Sequence, residues 1–137
     1  VGLAEQSVSI PSYRKHYEEQ VRVTKSMIEF YNQNEDNMQP NVRKYIFDYA
    51  KKQCADTIAR FYLLLETNKE NLNKIKEFDK YLKENNEKMF YAVNEHSSIV
   101  KALRNAKYNY LAYKALAKYQ THKMMNEQNW GKQRSKK

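Results

Sequence analysis

The apolar residues of this chain recur at three- and four-residue steps almost from end to end, and that period predicts helices. Tyr13, Tyr17, Val21, Thr24, Met27/Ile28 and Tyr31 form one such stripe. Its helix is expected to begin near Ser9 or Ser12, with Pro11 in the first turn, where a missing N–H costs nothing. It should stop in NQNEDNMQ (residues 32–39), whose amides and acids bond their own backbone and release a helix. Val42, Ile46, Tyr49/Ala50, Cys54, Ile58, Phe61 and Leu64/Leu65 continue the period from Pro40 or Asn41 to Glu66. At ~1.5 Å per residue that is a single helix about 40 Å long. Thr67-Asn68-Lys69-Glu70 reads as a capping box, opening a polar helix to about Glu84 with Leu72, Ile75, Phe78 and Leu82 inward. Asn85-Asn86 interrupts it, and Met89, Phe90 and Val93 mark a short helical piece. A serine after His96 can cap a last helix from about Ser98 to Met125. Its inward positions are Val100, Leu103, Ala106, Tyr110, Tyr113, Leu116/Ala117 and Gln120.

Composition sharpens this pattern into a fold class. Only Gly2, Gly131, Pro11 and Pro40 punctuate 137 residues, whereas β-rich folds need turn residues every few positions. The expectation is an all-α protein, an antiparallel helical bundle of four main helices with short loops, spanning residues 11–128. Residues 129–137 read as a basic, flexible tail. No apolar run approaches the ~20 residues that span a bilayer. The single Cys54 excludes an internal disulfide and reads as a small core residue.

Charge changes the picture further. Residues 1–99 hold equal numbers of basic and acidic side chains, so the whole net charge of +9 lies in residues 100–137. Lys101, Arg104, Lys107, Lys114 and Lys118 step along the last predicted helix on broadly one side, beside four of the twelve tyrosines. Such a stripe suits an anionic membrane surface or a lipid-linked phosphate, with Tyr108 and Trp130 as interfacial anchors. The same spacing also fits an ordinary solvated face. It fits nucleic acid less well, because no nucleic-acid-binding motif accompanies it.

Catalytic chemistry leaves little trace. His16, His96 and His122 fall into no metal-ligand spacing with each other or with Cys54. The carboxylates are interleaved with lysines on solvated faces, and neither glycine belongs to a phosphate loop. Asp-x-Asp, which would hold a divalent metal beside a diphosphate, does not occur. No catalytic, metal or cofactor residue is assigned. A protein–protein module that self-associates through its first two long helices is the alternative from another functional class.

The segment Gly2-Leu3-Ala4-Glu5-Gln6-Ser7-Val8-Ser9 resembles a junction in bacterial family 2 glycosyltransferases. There a G-x-x-x-Q-S-V-S type stretch closes the nucleotide-sugar-binding domain and leads into a C-terminal helical extension. Tyr13, His16 and Val23 fit the helix that follows, and Ser98 to Arg104, ending Leu-Arg, fits a later element. The match covers about the first thirty residues; the rest agrees in general character. It implies that residues 1–10 are an extended junction from an upstream catalytic domain. The chain would then be a non-catalytic accessory domain of a nucleotide-sugar transferase for cell-surface polysaccharide synthesis. It would dock that enzyme to the inner face of the cell membrane or to partner subunits, in the cytoplasm. Its implied partners are the anionic membrane surface or a lipid-linked acceptor, its own upstream catalytic domain, and a second copy of itself.

Overall fold

A computed structural model describes the backbone of residues 10–135 and the side chains of residues 11–127. Residues 1–9 of the expected junction and the side chain of Trp130 therefore lie outside the described residues, whereas Ile10, counted with the junction, already opens a helix. The chain is all-α. Among the described residues six α-helices follow in order: α1 (Ile10–Asn34), α2 (Pro40–Asp56), α3 (Lys69–Asn85), α4 (Glu87–His96), α5 (Ser98–Asn105) and α6 (Tyr110–Ser135). A 3₁₀ turn (Glu35–Asn37) links α1 to α2, and Pro40 opens α2 as its missing N–H allows. Among the described residues there is no strand.

The core is one cluster to which every α-helix contributes. Ile28, Ile58, Ile75, Phe78, Leu82, Met89, Val93, Val100, Leu103 and Tyr113 are all essentially inaccessible in it. The first stripe points inward as its spacing predicts, with Thr24, Ile28 and Tyr31 buried and Tyr17, Val21 and Met27 packed at the edge. The second does so only in part. Ala50, Cys54 and Ile58 are buried, but Val42 and Tyr49, expected inward, stand 45 % and 47 % exposed.

The expected rod from Pro40 to Glu66 is not one α-helix. At Thr57 the winding widens to a π segment (Thr57–Phe61), then tightens to a 3₁₀ turn (Tyr62–Leu64). Thr57 sets the site of the change. Its hydroxyl donates to the Gln53 carbonyl at 2.7 Å, competing with its own amide for that acceptor, a contact that bends helices. The same hydroxyl lies 2.9 Å from that of Thr24, tying the irregularity to α1. Beyond it Tyr62, Leu63, Leu64 and Leu65 are all buried. Four consecutive side chains cannot share one face at 100° steps, so the backbone abandons α winding and leaves Leu65 extended.

Caps fix the later helix starts. Asn68, one residue after the expected Thr67, caps α3 by accepting the Asn71 amide at 2.8 Å. Asn86 and Ser97 do the same for α4 and α5 through Met89 and Val100. Each such cap is worth about 1 kcal/mol.

The last expected helix is also corrected, because it is two helices. α5 closes with a 3.1 Å bond from the Tyr108 amide to the Leu103 carbonyl, the geometry of a left-handed helix end. Lys107 and Tyr108 both take positive φ, 54° and 58°, without being glycine. Asn109 then caps α6 through the Leu111 and Ala112 amides. α6 runs past the expected Met125 end to Ser135, taking in most of the segment read as a loose tail. It packs on α3, α5 and the 3₁₀ turn at Tyr62–Leu64.

Candidate functional site

The break between α5 and α6 divides the expected basic stripe. Lys101 stands on α5, Lys107 in the turn, and Lys114 and Lys118 one turn apart on α6, all four exposed. Among the described residues no ion pair involves any of them. Lys114 lies over the Tyr110 ring at 6.0 Å.

Arg104 is withdrawn from that face, correcting its place in the stripe. Its side chain is 7 % exposed and forks onto Asp79, itself 3 % exposed, with Nη2 2.6 Å from Oδ1 and Nε 2.9 Å from Oδ2. Nη1 donates to the Phe90 carbonyl at 2.7 Å and to Asn94 Oδ1 at 3.0 Å. The guanidinium also stacks 3.8 Å from the centre of the Phe90 ring. Tyr108, expected as an interfacial anchor, is half-buried and donates its hydroxyl to Asp79. The two groups thus hold the α5–α6 turn against α3, and the free basic side reduces to four lysines.

Neither Cys54 nor Tyr62 is activated as a nucleophile in the interior. Burial pushes the Cys54 thiol up to about 12, and its closest polar contact is the Met89 sulfur at 4.0 Å. Burial likewise pushes the Tyr62 phenol to about 12. Among the described residues no three of His, Cys, Asp and Glu are grouped as a metal site. No described helix is long and apolar enough to cross a membrane.

A broad concavity lies elsewhere, between α1 and α2. It is an open, mainly apolar groove of about 600 Å³, walled by Val23, Met27 and Phe30 on one side and Tyr45, Ile46 and Tyr49 on the other. Arg22 and Ser26 stand at its rim. Phe30 is 53 % exposed, Tyr45 69 % and Val23 45 %, and Val42, equally exposed, stands one turn before Tyr45 and Ile46. The alternative of self-association placed a contact on these two helices, but counting one inward stripe per helix left Val23, Phe30 and Tyr45 out of it. The available signal was a doubled stripe: Val23, Met27 and Phe30 run beside Thr24, Ile28 and Tyr31, giving α1 more apolar width than one core contact requires.

The geometry therefore offers an apolar groove on α1–α2 and four free lysines on α5, the turn and α6. No protein-family model matches the chain, and neither the curated proteins nor the solved structures hold a match to it.

Proposed function

We propose that this chain is a non-catalytic helical accessory domain that works by docking, and that the α1–α2 groove is its docking face, closed by the same groove of a second copy. One observation carries the reading: Val23, Phe30, Val42, Tyr45 and Tyr49 stand exposed side by side along two neighbouring helices. Contiguous patches of this kind mark interaction surfaces, and scattered single residues do not. At roughly 200 Å² per aromatic side chain, the exposed parts of Phe30, Tyr45 and Tyr49 amount to about 300 Å² of apolar surface. A standard interface takes ~800 Å² from each partner and is little more than half apolar, so these rings would supply most of an interface core. Charge favours a second copy. Residues 10–56, which carry α1 and α2, hold eight basic and seven acidic side chains, so two such faces meet nearly neutral, away from the +9 of residues 100–137.

Light scattering on the full chain up to about 100 µM detects pairing stronger than about 5.5 kcal/mol. A dimer is expected, with Phe30→Glu and Tyr45→Glu each giving a monomer of unchanged helical content. A monomer at the highest concentration, or a dimer indifferent to both substitutions, refutes the proposal.

The enzyme served is inferred from the resemblance of residues 2–9 to the family 2 glycosyltransferase junction. We place the domain beside a nucleotide-sugar transferase of cell-surface polysaccharide synthesis, in the cytoplasm. A second docking contact is favoured by the exposure of Lys101, Lys107, Lys114 and Lys118 without acidic partners among the described residues. At about 1 kcal/mol per cation they suit an anionic membrane surface carrying the acceptor. Equal sedimentation with neutral and anionic vesicles would end that part of the reading.

A further inference from the structure

A second concavity, polar and of about 230 Å³, opens where the π segment, the head of α5 and the middle of α6 converge. Arg60 comes from the π segment, His96 from the end of α4, Ser98 and Ile99 from the first turn of α5, and Gln120 and Lys123 from α6. Three independent features distinguish it from a surface dent. Gln120 is only 6 % exposed and lines the cleft, yet its carboxamide makes no hydrogen bond among the described residues. The Tyr113 hydroxyl is the one described side-chain atom fully enclosed without a partner, so the Gln120 carboxamide is open to the polar cleft and free to bond a ligand there.

The head of α5 supplies the second feature. Ser97 caps only the Val100 amide, at 3.3 Å, while the Ser98 and Ile99 amides have no backbone acceptor among the described residues. Two orphan N–H groups at a helix start, with the positive end of its dipole, favour an anion. The third feature is the cation Arg60, which the π segment carries to the cleft opposite Lys123 of α6. Asp56 is the one acid in the cleft, with Oδ1 3.8 Å from Arg60 Nε. Burial pushes its carboxyl above the usual range against the pull of Arg60, Lys52 and His96.

We propose that this cleft binds a phosphoryl group, with its oxygens accepting from the Ser98 and Ile99 amides and the Gln120 carboxamide, and with Arg60 and Lys123 balancing its charge. The volume falls below the ~300–1,000 Å³ of sites that enclose whole small molecules, which suits a headgroup-sized anion. The source is either a soluble phosphate or the phosphomonoester headgroup of a lipid.

Titration of the isotopically labelled full chain with inorganic phosphate, against sodium chloride at equal ionic strength, tests the site by amide NMR. Saturable shifts are expected at Ser98, Ile99 and the Gln120 side chain with phosphate alone. Arg60→Gln and Lys123→Gln should each weaken binding about tenfold, the loss of one charge-assisted contact. Gln120→Glu should weaken it at least as much while circular dichroism stays unchanged. Equal shifts with chloride, shifts that follow lysines elsewhere, or affinity unmoved by these variants overturn the proposal. Anionic vesicles of phosphatidic acid and of phosphatidylglycerol distinguish the sources. Capture by phosphatidic acid in excess of phosphatidylglycerol, with the excess lost in the Arg60→Gln/Lys123→Gln pair, assigns the headgroup. Phosphate binding with that excess absent or indifferent to that pair assigns the soluble anion, and response to neither probe rejects the site.

Discussion

Arg104 offers the sharpest test of how this fold is held, because its energetics follow from its contacts one by one. Arg104→Leu leaves the Asp79 carboxylate 3 % exposed with the Tyr108 hydroxyl as its remaining donor. Breaking a buried pair from one side costs about 3–5 kcal/mol, chiefly through the stranded charge. The Phe90 carbonyl and Asn94 also lose a donor, and the Phe90 ring loses its stacked cation. About 4 kcal/mol is the expected sum, against roughly 7–20 kcal/mol of total stability for 137 residues. With a urea slope of about 2 kcal/mol per molar, the midpoint should fall by about 2 M.

Arg104→Lys should recover little, since an ammonium cannot reproduce the two-pronged contact. Asp79→Leu/Arg104→Leu, by contrast, removes both charges and should restore at least half of the loss. Equilibrium urea unfolding followed by circular dichroism reads all three variants. A cost below about 1 kcal/mol for Arg104→Leu, or a double variant no better than the single one, would show that the charge is not stranded as the geometry requires.

Two further outcomes follow from the interior. Tyr113 is fully buried, and burial raises its phenol; its hydroxyl ends beside Thr67 and the Asn68 backbone without a well-formed hydrogen bond. Tyr113→Phe should therefore cost nothing or raise stability by up to about 1 kcal/mol, and a thermal midpoint that falls would reveal a real bond there. Cys54 is inaccessible, and its thiol is held near 12, so a thiol reagent should label it only as fast as the chain opens. Labelling of the native protein at the rate of a free thiol would contradict its burial.

Much of the architecture was legible because local chemistry and core packing agree. Pro40 opens α2, the amides near residues 32–39 end α1, and the Asn and Ser positions before α4 and α5 cap them as their side chains allow. The irregular stretches were not legible, and the reason differs for each. The π segment depends on Thr57 meeting Thr24 across 33 positions, which no local window contains. The α5–α6 break uses Lys107 and Tyr108, residues with no preference for positive φ, at a cost of about 1–2 kcal/mol each. The contact of Tyr108 with Asp79, 29 positions away, helps hold them there. Arg104 is instructive in another way. Spacing counts it with the lysines, but its guanidinium is weakly hydrated and planar, so the fold could bury it against a carboxylate while leaving Lys101, Lys107, Lys114 and Lys118 outside.

The groove and the lysines occupy different helices, and opposite physical forces govern them, so one variable separates their contributions. Apolar pairing through α1–α2 gains nothing from ionic attraction and should survive added sodium chloride. Attachment through four lysines should fade as the Debye length shrinks from ~10 Å at 0.1 M salt to ~3 Å at 1 M. With anionic vesicles, Phe30→Glu should then remove self-association without changing vesicle capture at low salt. Lys114→Glu/Lys118→Glu should remove most of the capture and leave the dimer intact, since both lysines lie outside the groove. If either substitution abolished both behaviours, the two faces would be one site, and a division of labour between α1–α2 and α6 would have no physical basis.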